Sequence, residues 1–185
     1  MKSFTTYLTE AKNTHMTHLE DLVFEGSGRV EEAISFAEEV AKMLSGQAAT
    51  KISATVKWDG APAIFCGIHP ETKKFFVGTK SVFNKTPKIN YTLADIRKNH
   101  PGGVSRSLET ALKHLKKLPI RGVLQGDMMF GPGDVTVKKI KGESYYTFTP
   151  NTITYAVPVD SDFGRKINSS KMGIVFHTKY TGKQF

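Results

Sequence analysis

The pattern of hydrophobic and polar positions changes period once along this chain, near residue 50. Over Arg29–Ser45, Val30, Ala33, Ile34, Ala37, Val40, Ala41 and Leu44 recur at helical spacing, and Glu31, Glu32, Glu38 and Glu39 fall largely on the other face. Gly46 supplies a stop for that helix. A shorter helix is expected over His15–Phe24, ended by Gly26. From Lys51 the period becomes two: Ile52, Ala54 and Val56 alternate with polar residues as in a strand. Asp59-Gly60 is a turn signal, and strands are expected at Ala61–Ile68 and Lys74–Thr79. Helical spacing returns over residues 92–118, carried by Leu108, Ala111, Leu112 and Leu115. Strands follow at Gly122–Phe130, Asp134–Ile140, Tyr145–Phe148 and Thr152–Val157, then a short helix at Ser161–Asn168 and a last strand at Gly173–His177. Gly131-Pro132-Gly133-Asp134 has the composition of a tight turn. Runs of strands with interspersed helices indicate an α+β domain and not a doubly wound sheet. The glycines form neither a GxGxxG fingerprint nor a Walker loop.

Charge sharpens the same division. Residues 1–50 hold 4 Lys/Arg against 8 Asp/Glu, and residues 51–185 hold 22 against 9, so an acidic helical segment precedes a basic body of net +13. An excess of that size points to a polyanionic partner, nucleic acid first, against the blander alternative of a solvated lysine-rich surface. The length of 185 residues suits one domain with a small appendage. A single cysteine, Cys66, excludes a disulfide framework and a cysteine-rich zinc module. Among apolar neighbours in mid-strand, that thiol is expected to be buried and inert. No apolar run approaches the roughly 20 residues of a membrane helix, and the first residues lack the apolar core of a secretory signal. A soluble, cytoplasmic protein with no membrane partner is expected.

The chemistry concentrates at Val56-Lys57-Trp58-Asp59-Gly60, where a lysine ends a strand and a turn begins at once. Such a geometry holds an amine at a sheet edge facing a cleft. A lysine attacks only as the free amine, so a nucleophilic lysine needs desolvation or cationic neighbours, here Lys80 or Lys85. Four residues alone describe an ordinary surface hairpin better, with Asp-Gly serving only the turn. Other candidates are weaker. His15 and His18 with Glu20 and Asp21 have spacing that a metal would tolerate, although surface or capping roles are commoner. Lys113, Lys116 and Lys117 lie where a helix face would either track a phosphate backbone or be merely solvated.

The Lys57–Gly60 stretch resembles motif I, Lys-x-Asp-Gly, of the covalent nucleotidyltransferase superfamily, which comprises ATP-dependent DNA ligases, RNA ligases and mRNA capping enzymes. Further matches follow in order. Thr79-Lys80-Ser81 is similar to motif Ia, Leu124-Gln125-Gly126-Asp127-Met128 to motif III, Ile153-Thr154-Tyr155-Ala156 to motif IIIa, and Gly173-Ile174-Val175-Phe176 to motif IV. The opening residues, including Asn13-Thr14-His15-Met16-Thr17-His18, are also similar to uncharacterised proteins of marine bacteriophages, which implies a host-cytoplasmic location.

The resemblance implies an ATP-grasp-like ligase adenylation domain, with antiparallel sheets around a nucleotide cleft and a helical N-terminal appendage. It implies ATP and Mg2+ as cofactors and nicked DNA, ahead of RNA, as the partner. Lys57 would attack the α-phosphate of ATP to form a lysyl–AMP, with Asp59 beside it. Val56, Trp58, Gly60, Lys80, Asp127, Tyr155 and Ile174 would bind the nucleotide. Asp127 would also hold magnesium, and Tyr155 would stack on adenine. Lys80, Lys85 and Lys179 would contact nucleic-acid phosphates. Four departures qualify the match. Met172 replaces the motif IV glutamate, Pro62 stands where DNA ligases place an arginine, Ala156 replaces the carboxylate of motif IIIa, and no clear Lys-x-Lys of motif V follows. The chain is expected to carry no OB-fold clamp domain, which a protein partner would then supply. Two alternatives are a catalytically degenerate nucleic-acid-binding or structural phage module on the same fold, and guanylyl transfer as in capping enzymes.

Overall fold

The computed structural model describes residues 9–10, 19, 22, 24, 26–47 and 57–181. It divides into two compact units, Lys12–Lys57 and a larger one formed by Met1–Ala11 with Trp58–Phe185. The boundary therefore falls between Lys57 and Trp58.

In the smaller unit, helix α1 spans Ser27–Leu44. Of its described residues only Ala33 is buried, and Ile34, Phe36 and Leu44 are exposed. The expected strand at 51–56, with Val56, lies outside the described residues, as does most of the expected helix His15–Phe24, with His15, His18, Glu20 and Asp21.

The larger unit is an α+β fold with two antiparallel sheets. Its strands are β1 (Thr9–Glu10), β2 (Ala63–Ile68), β3 (Phe75–Gly78), β4 (Val123–Phe130), β5 (Thr136–Ile140), β6 (Glu143–Phe148), β7 (Tyr155–Pro158) and β8 (Gly173–Thr181). The first sheet runs β1-β8-β4-β2-β3 and the second β5-β6-β7. Helices α2 (Leu93–Asn99), α3 (Val104–Leu115) and α4 (Asp162–Ser169) complete the unit. The helical run expected over 92–118 is thus two helices. Pro101-Gly102-Gly103 breaks it, since proline disfavours helix in the residue before it. Thr92 and Asp95 form a reciprocal capping box that starts α2.

Strand periodicity distributes the core. Ile64 and Cys66 of β2, Val77 of β3 and Met128 of β4 pack with Leu108, Ala111, Leu112 and Leu115 of α3. Phe65, Phe76, Val123 and Tyr180 form the cluster on the opposite face. A third cluster joins Met129 and Phe130 to Phe148, Tyr155, Val157 and Ile167, and so couples β4 to the second sheet and α4. Cys66 is fully buried, and burial pushes its thiol up to about 12. The turn after β4 closes as its composition predicts. Asp134 accepts from the Gly131 amide at 2.7 Å, and Gly133 takes a φ of 87°, where a side chain is disfavoured. No helix among the described residues is long and apolar enough to cross a membrane.

Candidate functional site

β4 lies between β2 and β8, and this order brings distant segments together. Ala63 of β2 and Val175 of β8 are both register partners of Asp127. The loop Trp58–Pro62 is fastened to the same stretch by two backbone bonds, Ala61 N–H to Met128 O and Met128 N–H to Pro62 O, each 3.1 Å. Gly60 makes this approach possible. A Cβ there would lie 2.6 Å from Met128 O, 2.8 Å from Met129 Sδ and 3.0 Å from Asp127 Cβ. Only a residue without a side chain fits.

Tyr155 of β7 reaches the loop from the second sheet. The Asp59 amide donates to its hydroxyl at 2.7 Å, and Asn151 Nδ2 donates to the Asp59 carboxylate at 3.4 Å. The Tyr155 ring is buried at 8% exposure, with its centroid 4.8 Å from that of Trp58 and 5.6 Å from that of Phe148. Trp58 also lies 5.8 Å from Phe163 of α4, centroid to centroid. Tyr155 thus spends its faces on protein and its hydroxyl on the Asp59 amide.

Beside these aromatics is a cavity of about 610 Å³. Trp58, Met129, Phe148, Phe163, Ile174 and Val175 form much of its apolar wall, and Lys166, Lys171 and His114 add polar groups. A mostly apolar hollow of this size with few polar groups is the usual form of a small-molecule site.

The half-buried Asp127 carboxylate has a basic neighbour in His177 of β8, whose Nε2 is 3.7 Å away. The other ring nitrogen of His177 lies 2.8 Å from Thr178 Oγ1. No group of three or more His, Cys, Asp or Glu that would hold a metal occurs among the described residues. Met172, at the position of the motif IV glutamate, packs against the α3 cluster. Position 172 therefore supplies no carboxylate to the site.

The structure thus brings Asp59, Gly60 and Asp127 to one place, with Tyr155 bound to Asp59, and sets Trp58 and Ile174 in the cavity wall. Lys57 is exposed and ends the smaller unit. Lys80 opens a 3-10 turn after β3, Lys85 follows it, and Lys179 lies on β8; all three are exposed, and none lines the cavity. Sequence reasoning missed His177, Asn151, Phe148 and Phe163. Only His177 carried a signal, as a titratable residue one position after the motif IV match. The other three have ordinary identities and acquire meaning only through packing.

Residues 13–185 match a family profile described as a family of unknown function, DUF6267. The chain belongs to DUF6267. No curated protein and no solved structure matches it. Within this DUF6267 chain, the loop at Asp59-Gly60, the Asp127 strand and the aromatic-walled cavity are the part with the most organised chemistry.

Proposed function

We propose that this protein is an ATP-dependent nucleotidyltransferase of the polynucleotide ligase type, with Lys57 as the residue that carries AMP. The observation supporting this is the convergence of four separated segments. Asp59-Gly60 is seated on the Asp127 strand, that strand pairs with β8 beside Val175, and Tyr155 from the second sheet holds the Asp59 amide. A set of short motifs matched by chance has no reason to meet at one point.

In this reading, the Lys57 amine attacks the α-phosphorus of MgATP. An N–P bond forms, the bond to pyrophosphate breaks, and the amine loses a proton. A 5′-phosphate oxygen of a nicked strand then takes the adenylate and frees the lysine. Attack by a 3′-hydroxyl joins the strands and releases AMP. The apolar cavity receives the base. Stacking on adenine passes from Tyr155 to Trp58 and Phe163, because the Tyr155 ring is covered by protein. Tyr155 becomes a positioning residue for the Asp59 loop. Asp127 faces the phosphates and their magnesium, with His177 beside it.

The test is intact mass after incubation with ATP and magnesium. A gain of one AMP on the wild type, lost in Lys57→Ala, is the expected result. No adduct, or an adduct that persists in Lys57→Ala, refutes the proposal. GTP in a parallel sample separates adenylyl from guanylyl transfer. The apolar packing of Met172 favours a second reading, in which the fold binds nucleic acid without group transfer. Salt-sensitive oligonucleotide binding with no adduct from either nucleotide is its signature.

A further inference from the structure

A second cavity, of about 510 Å³ and distinct from the aromatic-walled one, is lined by Lys73, Lys74, Tyr91, Lys116 and Leu118. Leu118 also lines the first cavity, so the two hollows adjoin across the end of α3. Lys73 and Lys74 come from the β2–β3 hairpin and Lys116 from the residue capping α3. On the far side of Leu118, Lys166 and Lys171 stand at the first cavity. Lys113 and Lys117 fill the interval: together with Lys171 they act on His114, and burial and then these cations lower its pKa from the ordinary histidine value.

Lysines from the hairpin, α3, α4 and the approach to β8 thus form one continuous band past both cavities. None of them is in an ion pair with a described residue, and the pairs that do form lie elsewhere, such as Arg97 with Glu109 and Arg165 with Asp162. Glu71 of the same hairpin and Asp95 act on Tyr91 at the second cavity, but the lysines outnumber them and like charges repel one another, so the arrangement favours an extended anion. Phe163, 47% exposed, and Leu118, 50% exposed, add apolar surface along the same line. Spaced cations beside an exposed aromatic ring are the features that hold a polynucleotide, the cations on its phosphates and the ring on a base.

We propose that this lysine band is the track for the polynucleotide that accepts the adenylate, running from the β2–β3 hairpin across the end of α3 to the mouth of the aromatic-walled cavity. Its role as the acceptor track rests on the nucleotidyltransferase reading. The contact itself is electrostatic and is measured without ATP. The track is separate from the Lys80, Lys85 and Lys179 positions suggested by motif resemblance.

The experiment is fluorescence anisotropy of labelled single-stranded and nicked-duplex oligonucleotides on the full chain between 50 and 300 mM salt, at roughly the range where counterion release is steep. The variant Lys73→Gln/Lys74→Gln/Lys116→Gln removes three contacts. It is expected to lower the single-strand salt slope by about 2 and the affinity on the order of 100-fold at about 0.1 M salt. The corresponding triple Lys→Arg variant keeps the charge and is expected to bind as the wild type does, which separates lost charge from lost fold. Because these three residues lie outside the first cavity, AMP adduct formation is expected to be unchanged in the Gln variant. Unchanged affinity and slope in that variant overturn the track, as does binding to anionic lipid vesicles with none to oligonucleotide. Wild-type binding that depends on the band, with no AMP adduct on any variant, leaves the track standing and overturns the nucleotidyltransferase reading alone.

Discussion

Gly60→Ala is the sharpest test of how the site is built. The new methyl group would lie 2.6 Å from Met128 O, about 0.8 Å inside an ordinary contact, and 2.8 Å from Met129 Sδ. The sulfur sits on a flexible side chain and can move. The oxygen cannot move cheaply, because it belongs to β4, which is paired on both sides by β2 and β8. Overpacking of this kind costs about 1–3 kcal/mol. Displacing the loop also stretches the 3.1 Å bond from Ala61 N–H to Met128 O, worth about 1 kcal/mol. Alanine returns about 0.4–1 kcal/mol by restricting the unfolded chain. The net is a loss of about 2 kcal/mol, or a melting temperature lower by about 4–8 °C for a chain of this size. Gly102→Ala is the control, since a Cβ there meets nothing within 4 Å, and its stability should stay within about 0.5 kcal/mol of the wild type. Thermal and urea denaturation of both variants decide the matter. If Gly60→Ala melts with Gly102→Ala, the Asp59 loop is not seated on β4, and the convergence that supports the functional proposal is gone.

Three further variants probe neighbouring links. Tyr155→Phe keeps the ring packing but leaves the Asp59 amide without its 2.7 Å acceptor; it should cost about 1 kcal/mol in urea denaturation and slow AMP adduct formation. Asp127→Asn should leave the melting temperature nearly unchanged, since the carboxylate is only half-buried, while slowing adduct formation on the order of 100-fold in rapid-quench measurements. An equal rate would remove Asp127 from the phosphate site. For Cys66, the unfolded thiol ionises above its usual 9.0 while the folded one waits until about 12, so stability is full below 9 and falls as pH rises through that window. The contribution is about 1.4 kcal/mol per pH unit. Cys66→Ala, though less stable throughout, should show a shallower alkaline decline in urea titrations from about pH 8 to 10.5; parallel curves would contradict the burial of the thiol.

The strands of the larger unit were legible because the sheet is built from period-two runs punctuated by turn residues. β2, β4 and α4 fall within a residue or two of their expected ends. β8 runs four residues past the expected His177, because Lys179 and Tyr180 pair with Leu124 and Val123. Nothing local marks that extension; a partner strand supplies it. The break between α2 and α3 is of the other kind, since Pro101-Gly102-Gly103 marks it locally and the backbone constraint interrupts the helix. In α1 the period correctly predicted a helix, but periodicity reports a face and not what covers it, and Ile34, Phe36 and Leu44 are exposed.

The candidate site divides along a similar physical line. Asp59 and Gly60 stood out as a turn signal after a strand and as part of the motif I resemblance, and Asp127 stood out through the motif III resemblance alone. The cavity was not found. Its wall is assembled from Trp58 in a loop, Phe148 on β6, Phe163 on α4 and Ile174 on β8, and any of these reads as core in its own segment. Tyr155 shows the cost of judging such residues singly. Its aromatic identity suggests a base-stacking surface, but a ring covered by Trp58 and Phe148 has no face to offer, and its hydroxyl is what reaches the loop. Lysines behave in the opposite way. Their excess was plain from composition, yet Lys73, Lys116 and Lys171 lie far apart in sequence, and only the end of α3, where Leu118 separates the two hollows, makes them one surface. Charge count therefore shows an excess of cations, whereas the fold decides which lysines line the same hollows.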